Sequence, residues 1–243
     1  MPGMSALPPI LLEDELLIAF DKPSGLLIAP DRWSKETVNL MQLVHARLSP
    51  GIFNAHRLDR DTSGVVLCAK QKPALDALCL QFERGEVEKE YLALVHGAPP
   101  AASGEIDQPI GDDPQRPGKS KIDRRGKPAL TRYETEQAFR GWTLLRLRPQ
   151  TGRTHQLRVH LKHIGCPIVA DPWYGDRKPL MLSDIKRRYK AGPGEERPLL
   201  ARLALHAHRL TVTHPATGAR VTIEAPLPAD FHLAIKQLTK WST

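Results

Sequence analysis

The chain is 243 residues long and 41 % hydrophobic, enough apolar material for a real core. Thirty-five Lys and Arg face 27 Asp and Glu; the resulting net charge of +8 favours polyanionic partners, because each phosphate contact releases condensed counterions. No apolar run approaches the roughly 18 residues that a membrane span needs, and Leu11 and Leu12 are cut off at once by Glu13, Asp14 and Glu15, so a cytoplasmic protein without membrane or signal segments is expected.

The 22 prolines and 17 glycines imply short elements joined by turns. Residues 16–20 (LLIAF) and 26–29 (LLIA) read as two strands separated by the turn Asp21-Lys22-Pro23-Ser24-Gly25. From His56 to Lys70 comes HRLDRDTSGVVLCAK, in which Arg57 stands two positions before Asp59, a polar turn follows, and the apolar run Val65, Val66, Leu67 closes the stretch. That is a loop carrying an acid into a buried strand, a common place for catalytic groups. Residues 72–84 predict a helix: Leu75, Leu78, Cys79 and Phe82 recur at helical spacing, Pro73 is near the start and Gly85 lies just past the end. Strand-like text returns at 89–95, with Leu92 and Leu94 on one face and Tyr91, Ala93 and Val95 on the other.

Residues 111–128 form a polar loop without apolar periodicity, holding Arg116, Lys119, Lys121, Arg124, Arg125 and Lys127 against three acids. It reads either as a solvated excursion or as an RNA contact that orders on binding. Strands at 129–138 and 142–148 lead to TGRTHQLRVHLKHIG. There a helix is expected from about Thr154, with Leu157, Leu161 and Ile164 inward, Arg158 at the border of the buried stripe, and Gly165 as the stop. A second basic stretch runs from Arg177 to Lys190. The chain closes with a hairpin (203–213 and 219–225, turning at 214–218) and an amphipathic helix carrying Phe231, Ala234, Ile235 and Leu238. Strands and helices alternate without a βαβ rhythm, repeat or linker, so the expected class is α+β with one domain over residues 1–243. Cys68, Cys79 and Cys166 are odd in number, never at CxxC spacing and each in apolar text; three reduced core thiols are expected, with neither a disulfide nor a zinc site. His155, His160 and His163 lie at helical spacing but share a face poorly and have no carboxylate or cysteine nearby to complete a metal set.

At HRLDRDTSG the chain resembles the RluA-type pseudouridine synthases, whose motif reads HRLDxxTSG. Two further motifs follow in the same order: Lys89-Glu90-Tyr91, a K-x-Y element, and GRTHQLR from Gly152 to Arg158. The turn at Asp21 resembles the family's NKPxG, with Asp in place of Asn. The resemblance covers roughly residues 15–225. It implies a curved, mostly antiparallel mixed sheet flanked by helices, and isomerisation of uridine to pseudouridine in transfer or ribosomal RNA. That reaction needs a nucleophile, a group to handle the proton on carbon 5 and a way to flip the base, but no metal, redox partner or cofactor.

The resemblance implies Asp59 as nucleophile, Tyr91 packing on the base and removing the proton, and Arg158 as the cation that pairs with Asp59. Arg153 is the rival for that pairing, the other arginine then binding phosphate. Arg57 would fill the gap left by the flipped nucleotide, the alternative being an ion pair with Asp61 or Glu90. In LALHAHRL, Leu205 rather than His206 is expected in the uracil pocket. A monomer is expected, without the separate N-terminal RNA-binding domain of larger relatives, since only about fifteen residues precede the first strand. Two rival readings are an RNA-binding protein that has lost catalysis and a metal-dependent hydrolase built on Asp59, Asp61 and a histidine.

Overall fold

The computed structural model describes residues 6–30, 37–190, 192 and 194–242. It divides into two compact units, the first comprising Met1–Lys89 and Ala207–Pro226, the second Glu90–His206 and Leu227–Thr243.

The first unit is built on β2 (Leu17–Lys22) and β4 (Ser63–Ala69), paired antiparallel with Leu17 opposite Ala69 and Lys22 opposite Gly64. Every residue of β4 is buried, so after Ser63 and Gly64 it reads as a continuous apolar run, Val65–Ala69, rather than an alternating one. The strand order is β1 (Ile10–Glu13), β2, β4 and β11 (Leu205–Thr213), with β3 (Phe53–Asn54) on β4 and β12 (Arg220–Glu224) on β11. Leu17, Val65, Leu67, Leu78, Val212 and Ile223 form its core. Residues 26–29 are not a strand: a single parallel bridge joins Leu27 to Asn39, and Leu26, Leu27 and Ile28 are apolar because they are covered. Asn39 caps α1 (Leu40–Arg47) in a capping box with Gln42, a helix too short for its periodicity to show.

The helix expected at 72–84 is α2 (Lys72–Arg84), ended by Gly85 in the left-handed conformation at φ 72°. Its buried face is Ala74, Leu78 and Gln81, whereas Cys79 is exposed. The face is rotated because Gln81 spends its amide on the strand end of Thr213: Nε2 donates to the Thr213 carbonyl and Oε1 accepts its N–H, both at 2.8 Å. Core thiols are therefore only Cys68 and Cys166, and burial pushes Cys68 up to about 12.

The second unit orders its strands β5 (Glu88–His96, whose first two residues belong to the first unit), β10 (Trp142–Pro149), β9 (Leu130–Phe139) and β6 (Ser103–Asp107), each pair antiparallel. Against it lie α3 (Gln156–His163) and α5 (Ala229–Trp241), the latter burying Phe231, Ala234 and Leu238, with Ile235 half-buried. A short α4 (Leu182–Ile185) lies in the basic stretch. Residues 111–128, expected to lack structure, contain a hairpin of β7 (Ile110–Asp112) and β8 (Ser120–Ile122). Three-residue strands are too short to show a period. They are fixed instead by Ile110 and Ile122 packing with Val159 and Tyr174.

The class is α+β, an open, mixed and mostly antiparallel sheet flanked by few helices. Among the described residues no helix is long and apolar enough to cross a membrane.

Candidate active site

The motif loop is tied down at both ends before it reaches its acid. His56 Nε2 accepts the N–H of Leu67 at 3.0 Å, and its ring lies on Phe82 of α2 with centroids 5.0 Å apart. Burial, aided by the charge of Lys89, pushes the imidazole down to about 4, so it stays neutral and keeps an acceptor for the Leu67 amide. Leu58 is buried, Arg57 is exposed and Asp59 is half-buried, carried just before a turn closed by Thr62 N–H to the Asp59 carbonyl at 3.2 Å.

The turn that follows Asp59 is clamped to the Asp21–Gly25 turn. Lys22 is wholly buried and its ammonium donates to the carbonyls of Leu26 (2.8 Å), Arg60 (2.9 Å) and Pro23 (3.0 Å). Three charge-assisted hydrogen bonds are what allow a lysine inside a protein. Gly25 N–H donates to the Arg60 carbonyl at 2.9 Å, Arg60 Nε returns a bond to the Gly25 carbonyl at 3.2 Å, and Ser24 Oγ donates to the Asp61 carbonyl at 2.7 Å. Gly64 then has φ 112°, and a Cβ there would meet the carbonyl oxygen of Ala207 at 2.2 Å. The glycine of TSG is thus required by backbone packing against β11.

Tyr91, Arg153, Arg158 and Leu205 belong to the second unit. Tyr91 stands on β5 opposite Leu147 of β10 and is half-buried against the core. Its neighbour Glu90 faces the other side of the strand, where Arg146 and Arg148 engage it, the latter at 3.1 Å. Leu205 is buried in the core of this unit. Arg153 is exposed, with Nε donating to the Pro128 carbonyl at 3.0 Å.

Arg158 departs from its expected place at the edge of the stripe, for it is 2 % exposed, and α3 starts at Gln156 rather than Thr154. Its guanidinium forks onto Asp171, Nε to Oδ2 at 2.8 Å and Nη2 to Oδ1 at 2.7 Å. Asp171 Oδ1 also accepts the N–H of Trp173 (2.9 Å) and Tyr174 (3.0 Å). Burial alone would raise the Asp171 carboxyl, but the Arg158 fork and these amides hold it below the usual value. The pair is flanked by two non-glycine residues in the left-handed region, His155 (φ 55°) and Ala170 (φ 56°), a backbone conformation that costs energy and clusters at functional sites.

The rest of TGRTHQLRVH fixes α3 in position. The Gln156 amide donates to the Leu130 carbonyl and Thr131 Oγ1, both at 3.0 Å, and accepts from Thr151 Oγ1 at 2.7 Å. His160 bridges Thr131 Oγ1 (3.0 Å) and the Gln108 carbonyl (2.9 Å), and His155 Nδ1 meets Tyr174 Oη at 3.0 Å. Lys22 and His56 fix the loop of Asp59, and Asp171 fixes Arg158; the sequence reading gave these three no role. For Lys22 the available signal is a cation at the end of an apolar strand.

These motifs can be set beside known proteins. The family model described as RNA pseudouridylate synthase matches residues 16–163. The dual-specificity RNA pseudouridine synthase RluA of Escherichia coli K12 is 41 % identical over 224 residues, covering 91 % of this chain and 93 % of the relative. Ribosomal large subunit pseudouridine synthase D of Pseudomonas aeruginosa is 37 % identical over 231 residues, covering 91 % of this chain and 69 % of its own. Among solved structures, human RNA pseudouridylate synthase domain containing 1 superposes with a TM-score of 0.72 at 27 % identity, covering 94 % of this chain and 86 % of its own. Family model, relatives and fold agree with the ordered motifs: the chain belongs to the RluA-type RNA pseudouridine synthases, isomerases that convert uridine to pseudouridine in RNA.

Proposed function

We propose that this chain isomerises chosen uridines of transfer RNA, ribosomal RNA or both, after flipping the target base, with Asp59 as nucleophile. The observation that carries this reading is the loop of Asp59. A half-exposed carboxylate just before a turn clamped by Lys22, Ser24 and Gly25 is preorganised, whereas an acid that only caps a turn needs no such support.

In the proposed reaction the Asp59 carboxylate bonds to the ribose carbon as its bond to N1 of uracil breaks, the freed uracil anion turns, and carbon 5 then bonds to the same ribose carbon, displacing the Asp59 carboxylate. The proton on carbon 5 must then leave, and Tyr91 is the group proposed to take it. Arg158 supplies the positive charge that keeps the attacking carboxylate ionised in a desolvated pocket. Its fork to Asp171 supports that role, because it leaves the guanidinium buried and rigidly oriented. Arg153, exposed at the start of the same motif, suits a phosphate contact. Exposed Arg57 suits the space left by the flipped nucleotide, and Leu205 an apolar wall for uracil. The protein is proposed to act as a monomer, as one catalytic domain and without metal.

The names of the relatives supply the substrate class, ribosomal large subunit RNA for one and a dual specificity for another. Mapping pseudouridine in total RNA with and without this gene tests the whole reading. Sites lost on deletion and restored by the wild-type chain are expected, and an unchanged map would overturn it. Tyr91→Phe is expected to keep RNA affinity while product formation slows by tenfold or more; unchanged product formation would reduce Tyr91 to packing.

A further inference from the structure

Trp173 combines a fixed backbone with an open ring. Its N–H is held by Asp171 Oδ1 at 2.9 Å, Pro172 restricts the chain before it, and Arg177 Nε binds the Pro172 carbonyl. Yet 38 % of the residue lies in solvent. A large aromatic held this firmly and left uncovered gives up burial that its surroundings could have supplied.

Those surroundings include two cations beside a neighbouring imidazole. His155 touches the indole edge-on at 4.9 Å, the Arg158 guanidinium lies 5.2 Å from the ring centroid, and the Lys119 ammonium lies over the ring at 5.3 Å. Lys119 comes from the β7–β8 hairpin, which is fixed to the same turn: Ser120 N–H donates to Tyr174 Oη at 2.8 Å. Arg124 and Arg125, just after that hairpin in the chain, are exposed. A rigid aromatic ring, a displaceable cation above it and further cations in the same segment are the parts from which proteins build stacking sites for unpaired bases.

We propose that Trp173 is a stacking platform for an unpaired nucleobase of the substrate RNA, distinct from the uridine that reacts. On binding, the base takes the place of the Lys119 ammonium over the ring, and Lys119 moves to the adjoining phosphate. The inference rests on the RNA-modifying reading above and adds to it a contact outside the chemistry. Trp241 serves as the comparison. It too is exposed and flanked by cations, Lys186 at 4.6 Å and Lys240 at 4.8 Å, but it ends the last helix and its ring N–H is engaged by Gln237.

The test is the affinity of the full chain for a fluorescein-labelled stem–loop RNA and for the fully paired duplex of the same stem. Trp173→Ala is expected to weaken stem–loop binding about tenfold while leaving duplex binding alone, and Trp173→Phe to stay within about threefold of wild type. Trp173→Leu keeps apolar contact with His155 and Arg158 but has no π-face. It should match the alanine variant, and it carries the test should that variant misfold. Trp241→Ala should bind as wild type does. The proposal is overturned if Trp173→Ala and Trp173→Leu bind the stem–loop as tightly as wild type, if they lose the duplex equally, or if Trp241→Ala loses as much. In those cases wild-type binding keeps the RNA reading intact. Wild-type chain that binds neither RNA would overturn both.

Discussion

Arg158 and Asp171 meet as a two-point fork in the interior, Nε on Oδ2 and Nη2 on Oδ1, with both side chains out of reach of solvent. The carboxylate fixes the plane of the guanidinium and, through the Trp173 and Tyr174 amides, ties it to the turn after β10 and α3. A free arginine of this length keeps roughly 2 kcal/mol of rotamer freedom, and here that freedom is given up during folding.

Asp171→Asn removes the charge and one acceptor while preserving shape. Unpairing a buried arginine is expected to destabilise the chain by about 3 kcal/mol, read from urea unfolding at neutral pH. Because the folded carboxyl titrates below its usual 3.8, the contribution of the pair is present above that value and is lost as pH falls through the lowered pKa. An unchanged unfolding midpoint for Asp171→Asn would mean that the fork adds nothing to stability.

His56 gives a pH dependence of its own. The imidazole titrates near 6.5 when unfolded and near 4 when folded, so the unfolded chain binds the extra proton between those values. Its contribution is complete above about 6.5, declines as pH falls towards about 4 and is level below that. The difference in unfolding free energy between wild type and His56→Phe, measured from pH 8 to about 3.5, should trace that window. A difference independent of pH would contradict the neutral, accepting imidazole.

How much of this was legible in the sequence depended on how local the cause was. The span of α2, the strand of Tyr91 and the closing hairpin follow from periodicity and turn residues within a few positions, and all three stand where expected. Asp59 could be singled out because its motif is contiguous. Lys22 could not, since its burial depends on carbonyls from residues 23, 26 and 60 converging on one ammonium. Nor could Asp171, whose tie to Arg158 spans thirteen residues across a left-handed turn at Ala170 that its residue type does not announce. The β7–β8 hairpin was hidden for a related reason: its order comes from Val159 and Tyr174, far along the chain.

Gly64→Ala tests a further cause that lies far along the chain. A Cβ 2.2 Å from the Ala207 carbonyl oxygen, at φ 112°, forces β4 and β11 apart. The expected loss is on the order of 3 kcal/mol or more, seen as a fall in Tm of at least about 6 °C. A Tm within about 2 °C of wild type would show that the strands yield.

The basic hairpin makes a separate electrostatic prediction. Neutralising Lys119, Lys121, Arg124 and Arg125 together should flatten the plot of log affinity against log salt, by up to roughly 0.7 per lost contact on single-stranded RNA. An unaltered slope would return this hairpin to solvated surface without RNA contact.

The most direct measurement on the central claim follows tritium on carbon 5 of labelled uridine in substrate RNA, because that hydrogen must leave when carbon 5 becomes the glycosidic carbon. Asp59→Asn keeps the shape of the side chain and the clamped turn that follows it but cannot attack as an oxyanion. The account predicts RNA affinity within about threefold of wild type and no tritium release above background. Release by Asp59→Asn above about one percent of the wild-type rate would contradict Asp59 as the nucleophile.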